Sequence, residues 1–163
     1  MSNPISKLRN KNMGHAYASQ FSHLVWSTKN RQPLIDKSFR NELYRYIRGI
    51  IDNKQTVLLN VGGTNDHIHV LVSMPPKNST SDLVRAIKSN SSRFIRSMDN
   101  PLSKKFAWQE GYAVFSVSKS VVESVSWYIK QQETHHKKYS FEDEFIGLLK
   151  KHGIAYDKKD LFE

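Results

Sequence analysis

Residues Thr56–Ser73 read TVLLNVGGTNDHIHVLVS, and their pattern decides the fold. Thr56–Val61 is a short apolar run, Gly62-Gly63 offers a turn, and His67–Ser73 is a second apolar run. Two such runs around a glycine turn predict a β-hairpin, which Pro75-Pro76 stops. Side chains alternate across a strand. Ile68, Val70 and Val72 therefore share one face, and His67 and His69 share the other. The apolar face needs a cover, and the flanking sequence supplies one.

Upstream, Asp36–Asn53 carries Phe39, Leu43, Tyr46, Ile47, Ile50 and Ile51 at helical spacing, with Asp36 as a plausible N-cap. Before it, Tyr17–Ser27 is rich in aromatic and β-branched residues and predicts a strand. Downstream, a helix is expected over Ser81–Ser97, with Leu83, Val84, Ile87, Phe94 and Ile95 buried. A fourth strand is expected over Phe106–Val117, interrupted at Gly111, then a helix over Val121–Glu133. A last helix over Phe141–Lys151 is capped by Ser140 and stopped by Gly153. The order β-α-β-β-α-β-α-α begins with a ferredoxin-like (RRM-like) split unit in the α+β class. That unit is one antiparallel sheet with helices on one face. The same plan serves nucleic-acid binders and many enzymes, so it does not name a function.

The chain has 163 residues, the size of one domain. Met1–Gly14 reads as a polar tail, and 15–163 as one domain with a helical extension from about residue 134. There are no cysteines, which excludes disulfides, thiolate metal sites and a cysteine nucleophile. No apolar run approaches the ~20 residues of a membrane span, and the N-terminal stretch lacks the apolar core of a secretory signal. The net charge of +10 points to a polyanion, with nucleic acid first because phosphates reward each added cation.

Two stretches carry chemistry. His67-Ile68-His69 places two imidazoles on one pleated face, where they chelate a metal or simply form hydrogen bonds at the surface. Carboxylate company looks thin, since Asp66 starts on the opposite face. In Tyr128-Ile129-Lys130-Gln131-Gln132, Tyr128 and Gln132 are four apart on one helical stripe with Val121 and Val125. Tyr128 either packs with those valines or acts as a nucleophile. Gln132 in an apolar stripe needs a buried partner or a ligand, and a metal would be one. A phenol, with a pKa near 10, is a poor nucleophile unless its target is activated. A divalent ion on His67 and His69 would activate a phosphodiester. Attack by Tyr128 would then store the bond as a phosphotyrosine that a second hydroxyl can reverse.

On these residues the sequence resembles the small single-tyrosine transposases of the HUH superfamily. His67-Ile68-His69 matches the histidine–hydrophobic–histidine motif, and Tyr128 with Gln132 matches the tyrosine helix about sixty residues on. Lesser matches are Trp26–Arg31, Ser91-Ser92-Arg93 and Trp108–Tyr112, so the likeness runs from about Tyr17 to Lys138. The resemblance implies cleavage and rejoining of single-stranded DNA, often beside a hairpin, with Mg2+ or Mn2+. Tyr128 would join a 5′ phosphate, and His67, His69 and Gln132 would be metal ligands. It also implies a homodimer with shared active sites, working on DNA in the cytoplasm of a prokaryotic cell. Some relatives move their own element, and others process chromosomal palindromes.

Lys29, Arg31, Arg85, Lys88, Arg93 and Arg96 are the best phosphate candidates, and Trp26, Trp108 and Tyr112 could stack on bases. His135 and His136 are expected in solvent, the alternative being an approach to the metal or a phosphate. The competing readings are a ferredoxin-like nucleic-acid-binding module without catalysis, a replication initiator or relaxase, and a zinc-dependent structural protein. Initiators usually carry further domains, and zinc sites favour the absent cysteine.

Overall fold

The structure, a computed structural model, describes residues 17–162. The proposed tail at 1–14 lies outside them. The elements are β1 (Phe21–Ser27), α1 (Lys37–Asn53), β2 (Val57–Gly63), β3 (His67–Ser73), α2 (Thr80–Arg96), β4 (Ala113–Val117), α3 (Val122–Lys130), α4 (Gln132–His135) and α5 (Phe141–Lys151). The four strands form one sheet in the order β2-β3-β1-β4, with every neighbouring pair antiparallel. This is the expected α+β, ferredoxin-like plan.

Alternation sorts the residues of the sheet. In β1, Leu24 pairs with Val70 and Trp26 with Ile68. Those residues face α1 and α2 and form the main core with Leu43, Ile47, Ile51, Leu83, Val84 and Ile87. The opposite face carries Phe21, His23, Val25, Ser27, His67, His69 and Leu71. It is covered by the C-terminal helices, through Val122 and Ile129 of α3 and Phe141, Phe145 and Leu149 of α5. Both faces of the central strands are therefore dry, and every residue of β3 is buried.

Capping agrees with the sequence. Asp36 accepts a hydrogen bond from Ser38 N at 2.8 Å, and Ser140 accepts one from Asp143 N at 3.1 Å. Gly153, just beyond α5, has φ +64°, the left-handed conformation a helix stop favours.

Four expectations need correction. Gly62 and Gly63 lie inside β2, and the turn is Thr64–Asp66. β1 begins at Phe21 rather than Tyr17, since residues 17–20 are exposed and carry no buried face. β4 is only Ala113–Val117, because the chain ahead of it crosses to β1 through one bridge, Thr28 with Trp108. The expected helix Val121–Glu133 breaks at Gln131 (φ −91°, ψ 9°) into α3 and the single turn α4.

Candidate metal and nucleophile site

β3 brings His67 and His69 to one face, both fully buried. His67 Nδ1 lies 2.7 Å from Asp66 Oδ1, which also accepts from Thr64 Oγ1 at 2.9 Å. Asp66 thus reaches its neighbour, contrary to the expectation from strand alternation, because it sits in the turn where alternation does not yet apply. Burial raises the Asp66 pKa, but its hydrogen bond and charge interaction with His67 and the bond from Thr64 outweigh that and hold it below the usual value. The contact of Nδ1 with Asp66 fixes the ring and turns His67 Nε2 to the interior.

His69 is oriented by His23, a β1 residue absent from the sequence-based site. His23 Nε2 and His69 Nδ1 are 2.9 Å apart, with the rings stacked. Burial first, and neighbouring imidazoles second, lower both pKa values well below the ordinary histidine value. His69 Nε2 is buried with no hydrogen-bond partner among the described residues. If that atom carried a proton, it would be an orphaned donor, which native interiors rarely tolerate. A lone pair aimed at a cation is the natural resolution.

The tyrosine helix approaches from β2. Asn60 Nδ2 donates to Ser126 O at 2.8 Å, fastening α3 to the sheet edge. Tyr128 then stands edge-on to His69, with ring centroids 5.8 Å apart, and its hydroxyl donates to Glu144 Oε1 of α5. The break at Gln131 rolls Gln132 inward, where it is buried as expected. Gln132 Nε2 donates to Glu144 Oε1 at 2.9 Å, which turns Gln132 Oε1 towards His67 Nε2, 3.0 Å away. Arg40 of α1 pairs with Glu133 at 2.5 Å and steadies α4.

Sequence reasoning misses Glu144. It is buried on α5, and its Oε2 lies 3.6 Å from His69 Nε2 and 3.8 Å from His67 Nε2. Ligand atoms of His67, His69 and Glu144 fall within 4.8 Å of one another. Burial pushes the Glu144 pKa up to about 7. His136, expected in solvent, is also here, 2.7 Å from Glu144 Oε2. Burial, then His67, lowers its pKa to about 4. Two imidazoles, an amide oxygen and a carboxylate form a mixed N/O donor set suited to a divalent ion, and the orphaned His69 nitrogen fits one. A cavity of about 630 Å³ opens beside Tyr128, between β4, α3 and α5.

The candidate phosphate contacts separate into two groups. Arg85, Lys88, Arg93 and Arg96 line one groove of about 570 Å³ with Trp108 and Tyr112. Within it, Lys88 donates to the carbonyls of Gln109, Glu110 and Gly111 at 3.0, 3.0 and 2.6 Å, so it latches that loop. Burial, offset in part by Glu110, lowers its pKa to about 8. Arg96 donates to Phe106 O at 3.2 Å, and the exposed Arg85 pairs with Asp82. Lys29 and Arg31 lie apart from the groove, on the turn after β1. Lys29 is exposed, whereas Arg31 pairs with Glu142 at 2.7 Å and sits over the Phe162 ring. Trp26 and Trp108 are buried against one another, so neither is a free stacking surface; Trp26 points to the helix-covered face. Tyr112 is 38% exposed, and Trp127, next to the tyrosine, is 65% exposed.

A buried histidine pair on a ferredoxin-like sheet, facing a helix-borne tyrosine, defines the class as single-tyrosine HUH transposases. Comparison with known proteins agrees. The chain belongs to the IS200-like transposase family, whose model matches residues 16–132. It is 25% identical over 126 residues to the ISDra2 transposase of Deinococcus radiodurans, covering 75% of this chain and 89% of that one. It is 28% identical over 126 residues to the IS200 transposase of Salmonella typhimurium, covering 75% and 82%. A crystal structure of a candidate transposase from Deinococcus radiodurans superposes with a TM-score of 0.58 at 25% identity, over 74% of this chain and 97% of that one. A REP-associated tyrosine transposase bound to a REP hairpin shares the fold, with TM-score 0.58, 14% identity and coverage of 77% and 73%. Among the described residues, no helix is long and apolar enough to cross a membrane.

Proposed function

We propose that this transposase cleaves and rejoins single-stranded DNA through a covalent link between Tyr128 and a 5′ phosphate. One observation carries the proposal. The Tyr128 hydroxyl donates to Glu144, and the other oxygen of that carboxylate lies 3.6 Å from the partnerless Nε2 of His69. Nucleophile and cation donors thus converge on one buried point. His67, His69 and Gln132, with Glu144, would hold Mg2+ or Mn2+. When bound, the ion would draw charge from the phosphodiester and make phosphorus electrophilic.

The remaining work falls to side chains. Asp66 and His23 fix the rings of His67 and His69. The Asn60–Ser126 contacts and the buried Gln132 hold the tyrosine helix in register. The hydrogen bond to Glu144 gives the phenolic proton a carboxylate acceptor. The Tyr128 oxygen–phosphorus bond forms, the bond from phosphorus to the 3′ oxygen breaks, and that oxygen takes up a proton. Reversal with a new 3′ hydroxyl joins a different end without ATP. The groove of Arg85, Arg93 and Arg96 would track the backbone, and a DNA hairpin is the expected folded element.

Residues 15–163 would act as one domain, with the segment from about 134 as its helical extension, in the cytoplasm where the DNA lies. The homodimer with shared sites remains part of the proposal. Since Tyr128 stands beside its own chain's histidines, sharing would require α3, α4 and α5 to cross to the partner.

The test uses labelled single strands from both flanks of the gene, incubated with Mn2+ and run on a denaturing gel. A labelled band at protein mass, lost with Tyr128→Phe and with EDTA, is the expected result. A band that survives Tyr128→Phe overturns the choice of nucleophile. Tight binding with no band on any single strand would favour a non-catalytic binding module.

A further inference from the structure

The metal donors assigned so far come from β3, α4 and α5. His136 is left unused, although this side chain is turned into the same site. The backbone explains why it is there. α4 closes one helical turn, His136 N–H donates to Gln132 O at 3.0 Å, and residues four apart lie on one face. Once Gln132 is rolled inward, His136 goes with it. Its Nδ1 lies 2.9 Å from Tyr139 O, and a carbonyl only accepts, so Nδ1 carries the proton. Its Nε2 is thereby turned inward, 3.0 Å from Gln132 Oε1 and 2.7 Å from Glu144 Oε2.

His67 is placed in the same way, with Nδ1 tied to Asp66 and Nε2 facing Gln132 Oε1 at 3.0 Å. Two imidazole nitrogens, an amide oxygen and a carboxylate oxygen thus face one another. Such a set needs shared protons or a cation among them. The spacing around Gln132 and Glu144 fits one. Ligand atoms about 2.1 Å from an ion and at right angles are about 3.0 Å apart. Here the contacts run from 2.7 Å, His136 to Glu144, to 3.8 Å, His67 to Glu144.

We propose that His136 is a further ligand of the same ion, giving a centre of three imidazoles, Gln132 and Glu144 that staples the C-terminal segment over Tyr128. The inference rests on the metal reading of the histidine pair. His136 and Glu144 both lie beyond residue 132, where the family match ends. One wall of the site is therefore β3, and the other is the segment 132–144. Loading the ion ties the two walls together. Three imidazoles also make the site softer than an oxygen-dominated one, which favours Mn2+ over Mg2+.

The test measures binding and not turnover. The full-length protein is titrated with Mn2+ by calorimetry, and the bound ion is examined by pulsed electron paramagnetic resonance to count coupled imidazole nitrogens. Wild type should show three, and His136→Ala two, with at least a tenfold weaker Kd. His135→Ala, one residue away and not among the donors, should match wild type. Amide exchange across 132–149 should slow on adding Mn2+ in wild type and not in His136→Ala. Should the alanine variant fail to fold, His136→Gln takes its place in every measurement. Three nitrogens lost one at a time with His67, His69 and His136 would establish the centre. Two nitrogens, lost with His67 and His69 and unaffected at 136, would overturn the inference and leave the metal reading standing. No Mn2+ bound by wild type would overturn both.

Discussion

Gly62→Ala tests how the tyrosine helix is placed. A Cβ built on Gly62 would lie 2.6 Å from Ile129 O and 2.9 Å from Ile129 Cγ2. The first of these is backbone, so no rotamer change relieves it. Restoring an ordinary 3.4 Å contact requires α3 to withdraw from β2 by about 0.8 Å. Tyr128 is the preceding residue and moves with it. Gln132 Oε1 now sits 3.0 Å from His67 Nε2, and a shift of that size pulls it away from the histidine. Overpacking of this kind costs about 1–3 kcal/mol, or about 3–9 °C in Tm for a chain of this length. A misplacement near 1 Å costs up to about 100-fold in rate, so the folded variant should form adduct at least tenfold more slowly. The assay is single-turnover adduct formation, normalised to folded protein and run beside thermal unfolding. Gly49→Ala is the control. Nothing lies within 4 Å of its added Cβ in the middle of α1. It should gain roughly 0.5–1 kcal/mol and leave the rate unchanged. A Gly62→Ala protein with wild-type Tm and rate would refute the close approach. One that is less stable, yet reacts at the wild-type rate per folded molecule, would refute the positioning role alone.

Three further outcomes concern exposed or half-buried groups. Trp127→Ala should leave Tm within about 1 °C, because the ring is 65% exposed. It should weaken single-strand binding by roughly 5- to 150-fold, as loss of one base–aromatic stack of about 1–3 kcal/mol predicts. Fluorescence anisotropy with an unchanged Kd would remove Trp127 from the interface. Arg85→Gln with Arg93→Gln should flatten the plot of log affinity against log salt by about 1.4, close to 0.7 for each lost phosphate contact on a single strand. An unchanged slope would place the strand elsewhere than the α2 groove. Lys88→Met should change how stability depends on pH. In the folded chain the Lys88 pKa is about 8, against an ordinary lysine value of 10.5. Between those values the unfolded chain binds more protons, so this group makes wild-type stability rise with pH across that window. Denaturant unfolding at pH 7.5 and pH 10 should show the wild type gaining on the variant, and a constant difference would contradict it.

Whether a feature is legible in the sequence depends on whether its signal is local. The strand His67–Ser73 and the helix Phe141–Lys151 with its Ser140 cap are readable to the residue, because period and capping are written in adjacent positions. The shared face of His67 and His69 is legible for the same reason, whereas the pattern around Tyr128 leaves packing and chemistry open, and only the family resemblance separates them. Gly62-Gly63 reads wrongly as a turn, since a glycine chosen for backbone freedom and one chosen for a close approach look identical until the approaching helix is known. Trp26 reads wrongly as a stacking residue. Its alternation with Leu24 puts it on the core side, but the direction of that side becomes clear only from its pairing with Ile68.

Two of the residues that sequence reasoning misses share one property: each is a polar group on an apolar stripe. His23 alternates with Phe21 and Val25 in β1, and Glu144 lies three residues from Phe141 and five from Leu149 on the buried side of α5. Such positions are costly for a charge or an imidazole unless a partner waits opposite. That cost is the signal. It singles out Gln132, and applied equally to α5 it would find Glu144. The partners of Glu144, though, are the histidines of β3, more than seventy residues earlier, and only the folded sheet brings the two together. The C-terminal segment therefore does more than extend the fold. It covers the histidine face of the sheet and brings Glu144 and His136 to a candidate site whose other parts lie within the family match, and removing it would expose Tyr128 and the histidines it now encloses.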